Sequence, residues 1–249
     1  MKTGAESAVE VIALSKWFGD REVVSNVSFL AAKSESVGLL GPNGAGKTTM
    51  MRIIAGVLSQ DSGRVLINGV DRRKNHSDAI SAVGYMPERP PLYRDLSVES
   101  HLQFWAHLRD VPSDVLNDRI DSILSEVGLE EVRGTLAGRL SKGYGQRLNL
   151  AQTLVHDPSI LILDEPTAGL DPEQIAQTRE LIKRLAANKT VIISSHILAD
   201  VARTCNRVVI VNSGRIVGES LLSSGASERD PGEFISELER LYLDTIHGA

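Results

Sequence analysis

The sequence predicts an α/β fold in which a mainly parallel sheet carries functional loops at one edge. A glycine-rich loop at 41–49 joins the apolar run 37–40 to a helix-like stretch at 50–54. The apolar runs 160–163 and 191–193 are continuous, which is typical of strands buried on both faces of a parallel sheet. Each of these runs ends on polar side chains, and the carboxyl ends of parallel strands share one edge. We therefore expect the loop and these polar residues to meet there.

An antiparallel β layer is predicted on the N-terminal side of this sheet. Stretches 9–14 and 23–30 are predicted as strands separated by the Gly19-Asp20 turn. After the loop and its helix, 63–70 contains an Asn68-Gly69 step between apolar residues, which is a strong hairpin signal.

A group of helices is predicted between the strand at 83–86 and the strand that starts at Ile160. Ser97, Ser113 and Ser141 are each placed to cap the start of a helix, and Gly128 is placed to end the second one. The residues between these signals recur at helical spacing. The sequence therefore predicts an inserted helical subdomain.

The C-terminal part is predicted to add the last strands of the sheet, followed by a loop and a helix. Apolar residues on both sides of Asn212-Ser213-Gly214 predict a closing hairpin, 225–232 is polar and loop-like, and Pro231 starts a predicted last helix. Cys205 is the one cysteine of the chain, so it cannot form an internal disulfide. It is predicted to be a core residue rather than a nucleophile.

The size and charge of the chain limit the classes of function that it can have. The chain has 249 residues, 42% of them hydrophobic, so it can bury a sizeable core. A formal net charge of −5, with lysine and arginine scattered along the chain, argues against a nucleic-acid partner. No apolar run approaches the roughly 18 residues that cross a bilayer, and the N-terminus lacks the apolar part of a signal peptide. We expect a cytoplasmic location.

The loop has the pattern G-x-x-x-x-G-K-T. Its glycines allow backbone N–H groups to face one anion at the start of a helix. Lys47 is predicted to reach the β- and γ-phosphates of a nucleotide, and the Thr48 hydroxyl to take a position on Mg²⁺. The alternative is a turn that binds nothing, but the full pattern lies between a predicted strand and a predicted helix, which favours phosphate binding.

Two acids and a histidine follow the other buried strands. Asp164 and Glu165 close one apolar run, so Asp164 is expected near the Mg²⁺ and Glu165 near an attacking water. The alternative is a pair of solvated acids, and the upstream phosphate loop favours the functional interpretation. His196 ends the next strand, and its place at the same edge favours a role at the site over a structural one.

Six short motifs occur in the order found in nucleotide-binding subunits of ABC transporters, and the chain resembles that family over essentially its whole length. The motifs are Phe18, the loop from Gly41, the signature-like stretch 140–147, the acidic strand ending at Glu165, the turn Gly169-Leu170-Asp171, and His196. The segment Met86-Pro87-Glu88 is similar to the ABC-2 or export-type branch, which contains multidrug, sodium-export and gliding-related ATPases.

The resemblance implies a P-loop NTPase fold in a single domain, 1–249. In this interpretation 1–89 and 156–220 form a RecA-like core with the β layer, 90–155 forms the inserted helical subdomain, and 221–249 forms a C-terminal loop and helix.

The resemblance also implies ATP and Mg²⁺ as cofactors. Glu165 would polarise the attacking water, His196 would contact the γ-phosphate and Lys47 would hold the phosphates. The implied metal ligands, direct or through water, are Thr48, Asp164 and Glu88. Phe18 would stack on adenine, and the remaining nucleotide contacts would come from Asn43, Gly44, Ala45, Gly46, Thr48, Thr49 and Glu88.

In that family two subunits pack head to tail, as a homodimer or with a close paralogue. Ser141 and Gly143 would then complete the partner subunit's nucleotide site, and Asp171 would bridge the two sites. The resemblance further implies separately encoded transmembrane permease subunits, which would hold the protein peripherally at the cytoplasmic side of the membrane.

The chain departs from the family's pattern at several positions. Glu88 stands where glutamine is usual, so a carboxylate lies beside the expected phosphates. Lys142 and Tyr144 replace the usual glycine and glutamine of the signature, although Ser141 and Gly143 are kept. Ser34 replaces the glycine of the turn before the loop strand.

Two other classes of function use the same motifs. A soluble ABC ATPase acting on ribosomes or DNA usually has two cassettes, long coiled-coil insertions or zinc-binding cysteines, and this chain has one cassette, one cysteine and an acidic balance. A non-hydrolysing regulatory subunit is disfavoured by Glu165. The order of the motifs favours a transport ATPase, with a lean to export.

Overall fold

The computed structural model describes residues 6–89 and 91–222 and contains two sheets. A four-stranded antiparallel sheet has the order β2-β1-β4-β5, with β1 Ser7–Phe18, β2 Arg21–Ala32, β4 Ser62–Ile67 and β5 Val70–Asp71. A six-stranded sheet has the order β10-β9-β3-β8-β7-β6, with β3 Ser36–Leu40, β6 Val83–Met86, β7 Ile160–Asp164, β8 Thr190–Ser195, β9 Arg207–Asn212 and β10 Arg215–Leu221. In this sheet β10 pairs antiparallel with β9, and the other neighbours are parallel.

The helices follow the strands in α/β order, apart from a group of three. They are α1 Lys47–Ile54, α2 His76–Ser81, α3 Val98–Leu108, α4 Leu116–Val127, α5 Lys142–Leu154, α6 Pro172–Ala186 and α7 Leu198–Thr204. Between α4 and α5 are two 3₁₀ turns, Glu130–Val132 and Ala137–Arg139. Helices α3 to α5 lie between β6 and β7 in the chain, where the helical insertion was predicted.

The parallel sheet is covered on both faces, as the continuous apolar runs predict. In β7, Ile160 and Ile162 pack into the core shared with α1 and the antiparallel sheet. Leu161 and Leu163 pack into the other core, shared with the helical insertion and α6. All four side chains are fully buried, so one strand contributes to two cores through its period of two. The predicted combination of a parallel sheet, an antiparallel β layer and inserted helices is confirmed.

Most of the predicted turns and caps are found. Asn68 and Gly69 both have positive φ between β4 and β5, as a two-residue hairpin turn requires. Ser97 and Ser141 accept hydrogen bonds from the backbone N–H groups of Ser100 and Tyr144 at the starts of α3 and α5. Gly128 ends α4 with φ 68°.

The predicted cap at Ser113 is wrong. Helix α4 begins at Leu116, and Val115, which precedes it, caps its start with no side-chain hydrogen bond. The N–H of Val115 instead donates to the Pro112 carbonyl, so a turn occupies the place of the expected first helical turn.

Cys205 is buried, as predicted for a core residue, and burial raises the pKa of its thiol. The predicted loop at 225–232 and the helix from Pro231 lie outside the described residues. Every helix within 6–89 and 91–222 is too short or too polar to cross a lipid bilayer.

Candidate functional site

A cavity of about 350 Å³ lies where the loops after β3, β7 and β8 meet. Those three strands are adjacent and parallel, so their carboxyl ends open at one edge of the sheet. The residues that line the cavity are Val23, Asn43, Gly44, Ala45, Gly46, Lys47, Thr48, Thr49, Glu88, Glu165, Ala168 and His196.

The phosphate loop runs directly into α1. Gly46 precedes the helix with φ 101°, a conformation that L side chains rarely adopt. Lys47 is almost fully buried, with a relative exposure of 6%. Its Nζ donates to the carbonyl oxygens of Gly41 at 2.6 Å and Pro42 at 3.1 Å, which holds the ammonium group over the loop. Burial lowers the pKa of Lys47, and the nearby Glu165 and Asp164 partly oppose that shift.

Asp164 lies beneath the cavity beside the start of α1. Its Oδ1 accepts hydrogen bonds from Ser194 Oγ at 2.5 Å and from Thr48 Oγ1 at 3.2 Å, while its buried Oδ2 has no partner among the described residues. A buried carboxylate oxygen without a partner is costly unless something binds it. The donor set of a carboxylate and a hydroxyl suits Mg²⁺, which prefers oxygen ligands.

The protein groups at this point would not form a metal cage alone. Within the described part of the chain, no cluster of three or more His, Cys, Asp or Glu side chains could hold a metal ion. Mg²⁺ is commonly held by one or two protein oxygens together with water and substrate phosphates. Thr48 and Asp164 fit that kind of site, since they lie beside the phosphate loop.

Glu165 and His196 form a pair at the mouth of the cavity. His196 Nδ1 lies 3.0 Å from Glu165 Oε2. The Glu165 side chain is 12% exposed and that of His196 is 47% exposed, so the carboxylate is the more enclosed of the two. Glu165 has φ 50°, and its N–H donates to Ser194 Oγ at 2.9 Å. A positive φ at a non-glycine residue costs free energy and is concentrated at functional sites.

Glu88 reaches the same cavity from the segment after β6. Its side chain is 51% exposed, and Glu88 Oε1 lies 4.0 Å from Nε of the exposed Arg89. The carboxylate that replaces the usual glutamine is therefore solvated at the rim.

Five of the predicted site residues do not line the cavity, and one of them is Asp164, which lies beneath it. Phe18 ends β1 with a relative exposure of 51%, and the Lys16 ammonium lies 5.6 Å from the centre of its ring. Ser141 and Asp171 are exposed and cap α5 and α6, where each accepts a backbone hydrogen bond. Gly143 lies in the first turn of α5 under the side chain of Gln174.

Sequence reasoning missed two residues that organise the site. Ser194 joins Asp164 to the backbone of Glu165, and its position next to the end of a buried strand was a usable signal. Gln146 Nε2 donates to the Pro166 carbonyl at 2.6 Å, which ties the signature helix to the residue after Glu165. Nothing in the local sequence indicates that second contact.

Comparison with known proteins agrees with this geometry. The family model described as ABC transporter matches residues 24–168. The ABC transporter ATP-binding protein YdbJ of Bacillus subtilis is 37% identical over 217 residues, which cover 86% of this chain and 70% of YdbJ. YbhF of Escherichia coli, named a probable multidrug ABC transporter ATP-binding protein, is 32% identical over 253 residues, covering 98% of this chain and 43% of YbhF.

A solved structure described as the ATP-binding subunit of an ABC transporter superposes with a TM-score of 0.81. It is 29% identical, and the match covers 96% of this chain and 99% of that one. The P-loop NTPase fold inferred from the motifs is thereby confirmed. On the family model, the relatives and the fold together, the chain belongs to the ABC transporter family as an ATP-binding subunit.

Proposed function

We propose that this subunit binds ATP with Mg²⁺ in the cavity, hydrolyses it within a pair of ATPase subunits, and so drives transport through separate membrane subunits. The observation that carries the proposal is the convergence of Lys47, Thr48, Glu165 and His196 on one cavity. Those side chains supply a cation, a metal ligand and a carboxylate, which are groups that phosphoryl transfer to water uses, together with an imidazole.

Each side chain has one task in the proposed reaction. The Lys47 ammonium and the N–H groups at the start of α1 hold the β- and γ-phosphates. Thr48 and Asp164 hold Mg²⁺, which would neutralise charge that develops on the phosphate oxygens. Glu165 orients the attacking water and accepts its proton, while His196 hydrogen-bonds the carboxylate and reaches the γ-phosphate.

A second subunit is part of the proposal because the cavity is partly open to solvent. Ser141 and Asp171 are exposed at helix starts and contribute nothing to the cavity of their own subunit. A loose phosphoryl-transfer transition state needs donors on all sides. Ser141 and Gly143 would supply those donors to the partner subunit's nucleotide, and Asp171 would lie between the two sites.

The membrane subunits are expected to dock on the start of the helical insertion. Three exposed apolar side chains, which we call the aromatic face, are found there: Tyr93, Phe104 and Leu108, with relative exposures of 43%, 37% and 57%. The rings of Tyr93 and Phe104 pack edge to face with centroids 4.8 Å apart. Because Tyr93 follows Glu88 closely in the chain, a partner held here could sense the nucleotide site.

Export is the proposed direction of transport. It is supported by the Met86-Pro87-Glu88 segment and by the similarity to a relative that is named for multidrug transport. The proposed location is the cytoplasmic side of the membrane, held by the permease subunits.

The experiment that tests this function is isolation of the tagged chain from detergent-solubilised membranes. We expect a polytopic membrane protein to accompany it, and we expect the isolated complex to hydrolyse ATP with Mg²⁺. Recovery with ribosomes or DNA instead, or a complex that binds ATP without hydrolysing it, would contradict the proposal.

A further inference from the structure

The turn between β9 and β10 is joined to the phosphate loop by a backbone hydrogen bond. The N–H of Gly214 donates to the carbonyl of Ala45 at 2.9 Å. On its other side, the Gly214 carbonyl accepts a hydrogen bond from the N–H of Ser25 in β2 at 2.8 Å. Gly214 therefore joins the phosphate loop to the edge of the antiparallel sheet.

No side chain fits at this junction. A Cβ on Gly214 would overlap the carbonyl oxygen of Val23 and lie 2.9 Å from the Val23 carbonyl carbon. A Cβ on Gly46 would lie 2.7 Å from the same Val23 oxygen and 3.4 Å from Gly214 Cα. The backbones at Val23, Gly46 and Gly214 are thus in direct contact, and Gly46 immediately precedes Lys47.

A second turn of the same shape shows what a turn glycine does without this contact. Ser213 and Gly214 have φ 47° and 77°, and Asn68 and Gly69 have φ 49° and 79°. A Cβ on Gly69 would meet no atom of residues 6–89 or 91–222 within 4 Å. The backbone conformation alone therefore explains the glycine at 69, whereas position 214 also excludes a side chain because the phosphate loop and β2 are so close.

We propose that the Ser213-Gly214 turn is a positioning element for nucleotide binding, which fixes the 45–46 peptide so that the N–H groups ahead of Lys47 converge on the phosphates. The proposal rests on the proposed function, since it assumes that the loop binds ATP. Gly214 contacts no substrate and acts only through the loop. Its loss should therefore weaken nucleotide binding without removing any group that takes part in hydrolysis.

Gly214→Ala is the variant that tests it, and two glycines provide matched controls. Gly69→Ala introduces the same positive-φ strain with no clash. Gly63→Ala has φ 81° and a Cβ that would lie 2.5 Å from the Ile12 carbonyl oxygen, so it adds both strain and a backbone clash inside the antiparallel sheet. Only Gly214 adds these effects next to the phosphate loop.

The measurements are the equilibrium Kd for radiolabelled ATP, KM and kcat, and the free energy of unfolding, all on the full chain. For Gly214→Ala we expect Kd and KM for ATP to rise about tenfold or more, because the loss of one well-aligned hydrogen bond to a charged phosphate has an effect of this size. We expect kcat at saturating ATP to change little. Gly69→Ala and Gly63→Ala should keep Kd within about twofold of the wild type.

A purely structural role predicts a different result. Gly214→Ala would then lose stability as Gly63→Ala does and keep the wild-type Kd, and this outcome would overturn the proposal. If Gly214→Ala does not fold, Ser213→Gly and Asn68→Gly decide the matter, because each loosens its turn without adding an atom. Ser213→Gly should raise the Kd about two- to threefold and Asn68→Gly should not, while equal Kd values would overturn the proposal.

The proposed function fails separately. If the wild-type chain does not bind ATP, the assignment of the loop is wrong whatever Gly214 does. If the wild type binds ATP and all these variants bind it equally well, only the role of the turn is wrong.

Discussion

Glu165 is the side chain on which hydrolysis depends most directly. Replacing it with glutamine keeps the shape of the site but removes the proton acceptor beside His196. We expect Glu165→Gln to bind ATP normally and to lower kcat by about 10² to 10⁴, the usual value of a positioned base. The measurements are steady-state phosphate release and ATP binding.

The control for this variant is Glu130→Gln, which changes an exposed acid in the 3₁₀ turn after α4. It should hydrolyse ATP at the wild-type rate. Hydrolysis by Glu165→Gln at a rate close to the wild type would remove Glu165 from the role of base.

Lys47 should act on binding rather than on the chemical step alone. Its buried ammonium group is held over the phosphate loop by two carbonyl oxygens. In Lys47→Ala the Kd for ATP, measured by equilibrium dialysis, should rise by tenfold or more because a charge-assisted contact is lost. Lys183→Ala, which changes an exposed lysine on α6, is the control. An unchanged Kd in Lys47→Ala would show that the phosphates lie elsewhere.

His156 makes the fold sensitive to acid. Burial lowers the pKa of His156 from 6.5 to about 4, with the charge of Arg109 adding to the shift. Its Nε2 donates to the Val83 carbonyl in β6 at 3.1 Å. Below pH 6.5 the unfolded chain binds a proton at this position that the folded chain does not bind until about pH 4. The free energy of unfolding should therefore fall with pH across that interval.

In the wild type this loss of unfolding free energy should reach about 3 kcal/mol. His156→Gln should lack the part of the pH dependence that His156 causes. Chemical denaturation at pH 7.5, 5.5 and 4.5 compares the two chains. A wild-type stability that falls no more steeply than that of His156→Gln would contradict the burial of a neutral imidazole.

At the residue level the sequence predicted the groups with a local signature. The phosphate loop, the acidic strand end and His196 each directly follow an apolar run that is recognisable as a buried strand. In the structure, Lys47, Glu165 and His196 line one cavity. Ser194 and Gln146 were missed because their partners are distant in the chain and only the folded backbone brings them together.

In the proposed function, the helical insertion is the element that docks on the membrane subunits. Its aromatic face lies outside the residues that line the cavity. We expect the double variant Tyr93→Ser with Phe104→Ser to lose most of the membrane protein that accompanies the chain, because exposed aromatic side chains contribute strongly to interfaces. Binding of ATP should be unchanged.

Val57→Ser is the matched control for that variant, since Val57 is an exposed apolar residue with a relative exposure of 64% outside the insertion. Quantitative blotting of the purified complex measures the effect. Equal recovery of the membrane protein with all three chains would exclude the aromatic face as the docking site.

At the element level, prediction succeeded where a segment was long and periodic or was closed by a strong turn signal. The buried strands β7 and β8 and the Asn68-Gly69 hairpin belong to this group. The short helix α2 was missed, since it has six residues and too little periodicity to detect. The start of α4 was misplaced because a turn at Pro112 competes with the first helical turn.

For the whole molecule, the order of the motifs predicts the family, whereas the assembly depends on contacts between chains. Two cores cover the two faces of the parallel sheet, and the phosphate loop lies with the carboxyl ends of β7 and β8 at one edge of that sheet. The hydrophobic pattern and the order of the motifs predict this arrangement. Ser141 and Asp171 do not line the nucleotide cavity of their own subunit, so a role at a nucleotide requires a second subunit. Their roles depend on whether two subunits share each nucleotide.

The central claim is that each ATP is held between the phosphate loop of one subunit and the signature residues of another. Lys47→Ala and Ser141→Arg each inactivate both sites of a homodimer, but a mixed dimer keeps one site made of intact Lys47 and intact Ser141. Equimolar mixing of the two inactive variants should therefore restore ATP hydrolysis to about a quarter of the wild-type rate. This value assumes that subunits exchange at random and that the transition state needs groups from both subunits. Activity that stays at the sum of the two separate variants would contradict a shared site.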